Sequence, residues 1–126
     1  MSLYPETKTQ MAVVQWLKLY HPEAFKHVIK IDNEGRRTGV GHAVAVKAGL
    51  HIGASDLFIA YPVTPYHGCF LEIKPDGWKL TPSKQKHYDS QMAFIQKMRR
   101  AGYAADLRIG VDECIEFLTS YLANEI

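Results

Sequence analysis

Asp56, Glu72 and Lys74 are the residues whose types and spacing could do chemistry. Two carboxylates and an ammonium that converge on one sheet edge can hold a hard divalent cation and activate a water. That chemistry suits hydrolysis of a phosphodiester. Gln85, further along the chain at a helix start, could hold the lysine or a water.

Spacing alone argues that they converge. Residues 57–61 and 69–74 are rich in β-branched, aromatic and aliphatic side chains and read as strands. Between them, 62–68 carries two prolines and a glycine, which end both runs. An antiparallel hairpin symmetric about Thr64 sets Asp56 opposite Glu72, Leu57 opposite Leu71, Phe58 opposite Phe70 and Ile59 opposite Cys69. Directly opposed Cβ atoms stand roughly 4.5–5.5 Å apart. Carboxylates so placed repel, so one takes up a proton or a cation sits between them. Oxygen ligands of this kind suit Mg²⁺ or Mn²⁺. Period-two alternation puts Phe70, Glu72 and Lys74 on one face and Leu71 and Ile73 on the other. Lys74 would then lie beside the cation, to orient or deprotonate a water or to steady the transition-state charge. A lone Glu-x-Lys is more often a solvated strand face, and Asp commonly opens a strand as a turn former. The conjunction in register is what favours a site.

The positioning elements follow from periodicity. Residues 5–20 have apolar spacing for a helix, opened by Pro5 and closed by His21-Pro22. Residues 24–31 suggest a strand, clearest over 27–31. A polar loop over 32–38 is expected to be the most mobile segment, and 38–48 a small helix stopped by Gly49. Thr81 is the expected N-cap of a long helix with Pro82 at its first position, running to Arg100 and ending at Gly102. Its stripe of Gln85, Tyr88, Met92 and Ile95 sets Gln85 at the end of a buried face. Residues 103–109 read as a strand and 112–122 as an amphipathic helix. This order gives an α/β fold, a small mixed β-sheet flanked by helices, with the last strand returning parallel through a crossover.

The chain of 126 residues is long enough for one domain, 1–126, with a core of its own. Its 47% hydrophobic and 22% charged content is that of a soluble globular protein, and no apolar run is long enough for a membrane span. The first residues lack the pattern of a secretory signal, and the two cysteines read as reduced core residues, so the expected compartment is the cytoplasm. A net charge of +2 says little about partners. The distribution says more: Arg36, Arg37, Lys79, Lys84, Lys86 and the cluster at 97–100 could form a stripe for a phosphate backbone, with Asp112, Glu113, Glu116 and Glu125 elsewhere.

In order and spacing, these pieces resemble the VRR-NUC family of the PD-(D/E)xK, restriction-endonuclease-like superfamily. The resemblance is carried by Glu6, 47–49, 53–58, 67–74, Gly77, 80–85, 101–103 and 110–113. It implies a restriction-endonuclease-like core and a Mg²⁺- or Mn²⁺-dependent endodeoxyribonuclease. Asp56 and Glu72 would be metal ligands, the Ile73 carbonyl a backbone ligand and Lys74 the catalytic lysine. Glu6 and Gln85 fall at the accessory acidic and Gln positions. Ser55 departs from the pattern, standing where members often have proline. The resemblance further implies a homodimer acting on branched DNA such as a Holliday junction, in phage or bacterial repair and recombination. Arg36, Arg37, Lys47, His51, Lys79 and Lys84 are the residues expected against DNA.

Three rival readings exist. One is a catalytically silent DNA-binding module with the same fold, which need not retain Asp56, Glu72 and Lys74 together. Another is nucleotide binding through the Gly-rich string at 39–44, which a polar loop separates from the preceding strand, against what a dinucleotide fold requires. The third is a zinc site from the six histidines, none of which form an i,i+4 pair.

Overall fold

Proline opens the first helix. Its fixed φ and missing N–H suit a position where the N–H would lack an intrahelical partner. In the computed structural model, which describes residues 4–32 and 39–126, α1 runs Pro5–Tyr20. Pro22 then starts a one-turn helix, α2 (Pro22–Phe25), and the edge strand β1 is confined to Val28–Lys30. This corrects the strand expected over 24–31. The second proline sets helical geometry, and Glu23 holds it by accepting from Lys26 Nζ at 2.9 Å.

The next two strands, β2 (Leu57–Ile59) and β3 (Cys69–Lys74), form an antiparallel hairpin pairing Leu57 with Leu71, Phe58 with Phe70 and Ile59 with Cys69. That is the register required by symmetry about Thr64. β2 stops short of the expected 61. The Ala60 N–H still donates to the His27 carbonyl at 2.9 Å, in the β1–β2 register, but the Tyr61 carbonyl leaves the sheet and accepts the Tyr121 hydroxyl at 2.6 Å. Between β1 and β2 lies α3 (Gly39–Lys47). After β3 come a 3₁₀ turn (Pro82–Lys84), α4 (Gln85–Arg100), β4 (Ala104–Ile109) and α5 (Gly110–Leu122). β1 pairs antiparallel with β2, and β4 runs parallel to β3, giving the sheet order β1-β2-β3-β4. A parallel return needs a crossover, and α4 supplies it. No helix among the described residues is long and apolar enough to cross a membrane.

The two faces of the hairpin have different company. Leu57, Ile59, Cys69, Leu71 and Ile73 pack with Val13 and Leu17 of α1 and with Cys114, Phe117, Leu118 and Tyr121 of α5. On the other face Phe58 stacks on Phe70 at 4.5 Å between ring centres, and Phe70 meets Phe94 of α4 edge-on at 5.3 Å. Glu72 and Lys74, by alternation, share the Phe70 face. Full burial of a Leu or Ile side chain contributes roughly 1.5–3 kcal/mol. The apolar face therefore offsets the cost of keeping charged groups on the other.

The loop into β2 presses against α4. A Cβ at Gly53 would stand 2.5 Å from the Ser90 carbonyl oxygen, and the backbone there has φ +88°. Gly53→Ala is expected to lower stability by about 3 kcal/mol, through left-handed strain and that clash together. The measurement is a denaturant midpoint; one unchanged from wild type would mean the loop retreats from the helix at no cost.

Candidate metal centre

Asp56 sits one residue before the β2 ladder and is tied to both neighbouring strands. Its backbone carbonyl accepts the Ile31 N–H at 2.9 Å, and its Oδ2 accepts the Ile73 N–H at 2.7 Å. The second bond reaches across to β3 and fixes the carboxylate beside Glu72. Asp56, Glu72 and Lys74 are 4%, 1% and 5% exposed, so all three charged side chains are almost wholly out of bulk water. Lys74 Nζ lies 4.0 Å from Glu72 Oε2. The other Glu72 oxygen, Oε1, is buried with no hydrogen-bond partner.

From the first turn of α1, Glu6 joins this pair. One carboxylate oxygen from each of Glu6, Asp56 and Glu72 lies within 4.8 Å of the others. Burial pushes the Glu72 carboxyl well above the usual carboxylate range. The Asp56 carboxylate beside it adds to this and Glu6 adds a little, while the Lys74 ammonium works in the opposite direction. Without a cation, Glu72 therefore keeps a proton at neutral pH. The donor set is all oxygen, as a hard divalent ion requires, and the orphaned Oε1 is an acceptor lacking a partner. The three carboxylates fit such an ion. Ile73 has its side chain in the core and its N–H on Asp56.

The cluster opens into a cavity of about 790 Å³, whose walls include Glu6, Asp56, Glu72, Lys74, His51 and Gln91. A solved VRR_NUC domain protein has the same backbone path. It is 24% identical, the match covers 98% of this chain and 92% of that one, and the TM-score is 0.76. The chain has the VRR_NUC domain fold. No protein-family model matches it, and no curated protein does.

Within the VRR_NUC fold, this chain does not bring Gln85 to the cluster. Gln85 is exposed at the start of α4, and its Nε2 donates to Asp89 at 2.7 Å. The buried face of α4 is Gln91, Phe94 and Ile95, not the stripe through Gln85, Tyr88 and Met92. Contact between Phe94 and Phe70 fixes the helix rotation. Six residues at about 100° each leave Gln85 about 120° round the helix from Gln91. Gln91 instead lines the cavity, with Nε2 3.1 Å from His87 Nε2 and Oε1 buried without a partner. Its spacing of three and four residues from Phe94 and Ile95 was the available signal.

Residues expected against DNA divide into groups. His51 and Lys84 line the cavity, and His51 Nε2 lies 3.1 Å from Lys97 Nζ. Lys84 Nζ donates to the Lys79 carbonyl at 3.2 Å, which places Lys79 just behind the rim with its own side chain in solvent. Lys47 ends α3, exposed, and is not a wall residue. Arg36 and Arg37 lie outside the described residues, as does most of the polar loop. The Gly-rich string opens α3 rather than following a strand end, and among the described residues no group of three metal-ligating side chains includes a histidine.

Proposed function

We propose that this chain is a metal-dependent nuclease of the VRR-NUC family, hydrolysing phosphodiester bonds in branched DNA. One observation carries the reading: the oxygens of Glu6, Asp56 and Glu72 converge within 4.8 Å beside the Lys74 ammonium, on a cavity wall. The shared VRR_NUC fold supports it. Glu6, Asp56, Glu72 and the Ile73 carbonyl would hold Mg²⁺ or Mn²⁺. Bound there, the ion would supply Lewis-acid polarisation of a phosphate oxygen and acidify a coordinated water.

The chain's own groups do the rest. Lys74 donates a hydrogen bond toward the attacking water or a non-bridging phosphate oxygen, where negative charge grows. Gln91, with an acceptor to spare, orients that water. Lys84 at the cavity wall neutralises a backbone phosphate, His51 offers its remaining ring nitrogen as a hydrogen-bonding group beside it, and together they set the strand across the carboxylates. A junction has two strands to cut symmetrically, and a two-fold homodimer matches that symmetry.

Incubating labelled four-way junction, flap, single-stranded and duplex DNA with Mg²⁺, Mn²⁺ or EDTA tests the reading. The expected result is cleavage with either metal, none in EDTA, and preference for a branched form. Tight binding without cleavage under every condition would make the protein a silent DNA-binding module instead.

A further inference from the structure

Trp78, in the loop after β3, is half-buried and lines the same cavity as Lys74 and Lys84. Lys74 Nζ lies 5.2 Å from the centre of its ring, and Lys84 Nζ lies 5.3 Å from it. Tyr88 stacks against the indole, with centroids 6.1 Å apart and planes 26° apart, which braces the ring from α4. One aromatic ring thus serves two ammonium groups, one beside the carboxylate cluster and one at the rim.

Glu72 does not hold Lys74 by a hydrogen bond. Glu72 Oε2 is 4.0 Å away, beyond hydrogen-bond length. It is also a group that a bound cation would engage, and a cation there would repel the ammonium. An indole face is different. It attracts an ammonium through its quadrupole, carries no ionisable group and offers no oxygen to a hard cation. Its hold on Lys74 therefore survives metal loading.

We propose that Trp78 is a positioning residue, whose ring face keeps the Lys74 ammonium aimed at the reacting phosphate and aligns Lys84 on the same ring at the rim. The inference rests on the nuclease reading above. Tyr88 supports it by fixing the ring plane.

The test compares Trp78→Phe and Trp78→Leu with wild type, using Mg²⁺ and the preferred DNA, and records melting temperature for each. Leu keeps apolar bulk and loses the π face, while Phe keeps a face. Trp78→Leu should lose about tenfold or more in kcat with KM changed less than about threefold, and Trp78→Phe should recover most of the loss. Equal kcat in the two variants at equal melting temperature would overturn the proposal. So would a loss confined to KM. A second arm leaves Trp78 in place. In a Trp16→Phe background, where Trp78 is the remaining tryptophan, Lys74→Met should shift the indole emission. An unchanged spectrum overturns the contact itself. Should wild type cleave no DNA, the nuclease reading fails, and the emission arm still decides whether Trp78 holds Lys74.

Discussion

Lys74→Met is expected to lower the single-turnover rate of DNA cleavage by about 10²–10³-fold at saturating Mg²⁺, with folding intact. The size follows from the setting. Lys74 is 5% exposed and stands 4.0 Å from Glu72, so its ammonium acts where water screens little. Methionine fills the same space and removes only the charge and the donors. Thermal stability should change little, because a buried ammonium costs desolvation that its loss returns. Gln85→Ala is the matched control. Its side chain is exposed and bonded to Asp89, so it should cleave at the wild-type rate. A Lys74→Met enzyme within tenfold of wild type would remove Lys74 from the chemistry.

What could be read from the chain beforehand was whatever local pattern determines. The hairpin register follows from a turn with prolines on both sides of Thr64 and from like residues meeting across it, and the ladder has that pairing. The limits of α1 follow from Pro5 and the His21-Pro22 pair. Where two local signals compete, the reading fails. Over 24–31 the β-branched residues argued strand, but Pro22 set a helical turn first and took Ala24 with it. Helix phase was harder still. The 81–100 segment has more than one apolar stripe, and the choice among them is made by Phe94 meeting Phe70, a contact with a residue 24 positions earlier (94 − 70). That tertiary contact moves the inward-facing amide from Gln85 to Gln91. Glu6 likewise reaches the carboxylates through the packing of α1 on α5 and β3, and only the family resemblance, not spacing, suggested it. Trp78 carries no signal in the sequence, because an aromatic in a loop has no period.

Glu72→Gln is expected to make the metal-free protein more stable than wild type at neutral and alkaline pH, and to abolish its stabilisation by Mg²⁺ or Mn²⁺. The Glu72 carboxyl titrates near 4.5 when free of the fold and well above that when buried beside Asp56. The folded state thus binds the extra proton, so stability is fully present below about 4.5 and is lost as pH rises from there toward the folded pKa. Per titrating proton, the slope reaches about 1.4 kcal/mol per pH unit. Glutamine keeps the shape and a neutral charge without that dependence, so the advantage of the variant in EDTA should grow between about pH 5 and about pH 8. Adding metal reverses the order. The ion replaces the retained proton, and wild type gains RT ln(1 + [metal]/Kd), which is about 2.7 kcal/mol at a hundred times Kd. The variant, short of one anionic ligand, gains nothing measurable at the same metal concentration. Melting curves of both proteins across pH, in EDTA and in Mg²⁺, carry the comparison. If wild-type stability in EDTA stayed flat or rose over that range, the carboxylates would not share a crowded, water-poor site. The cation would then lose its physical reason to bind there.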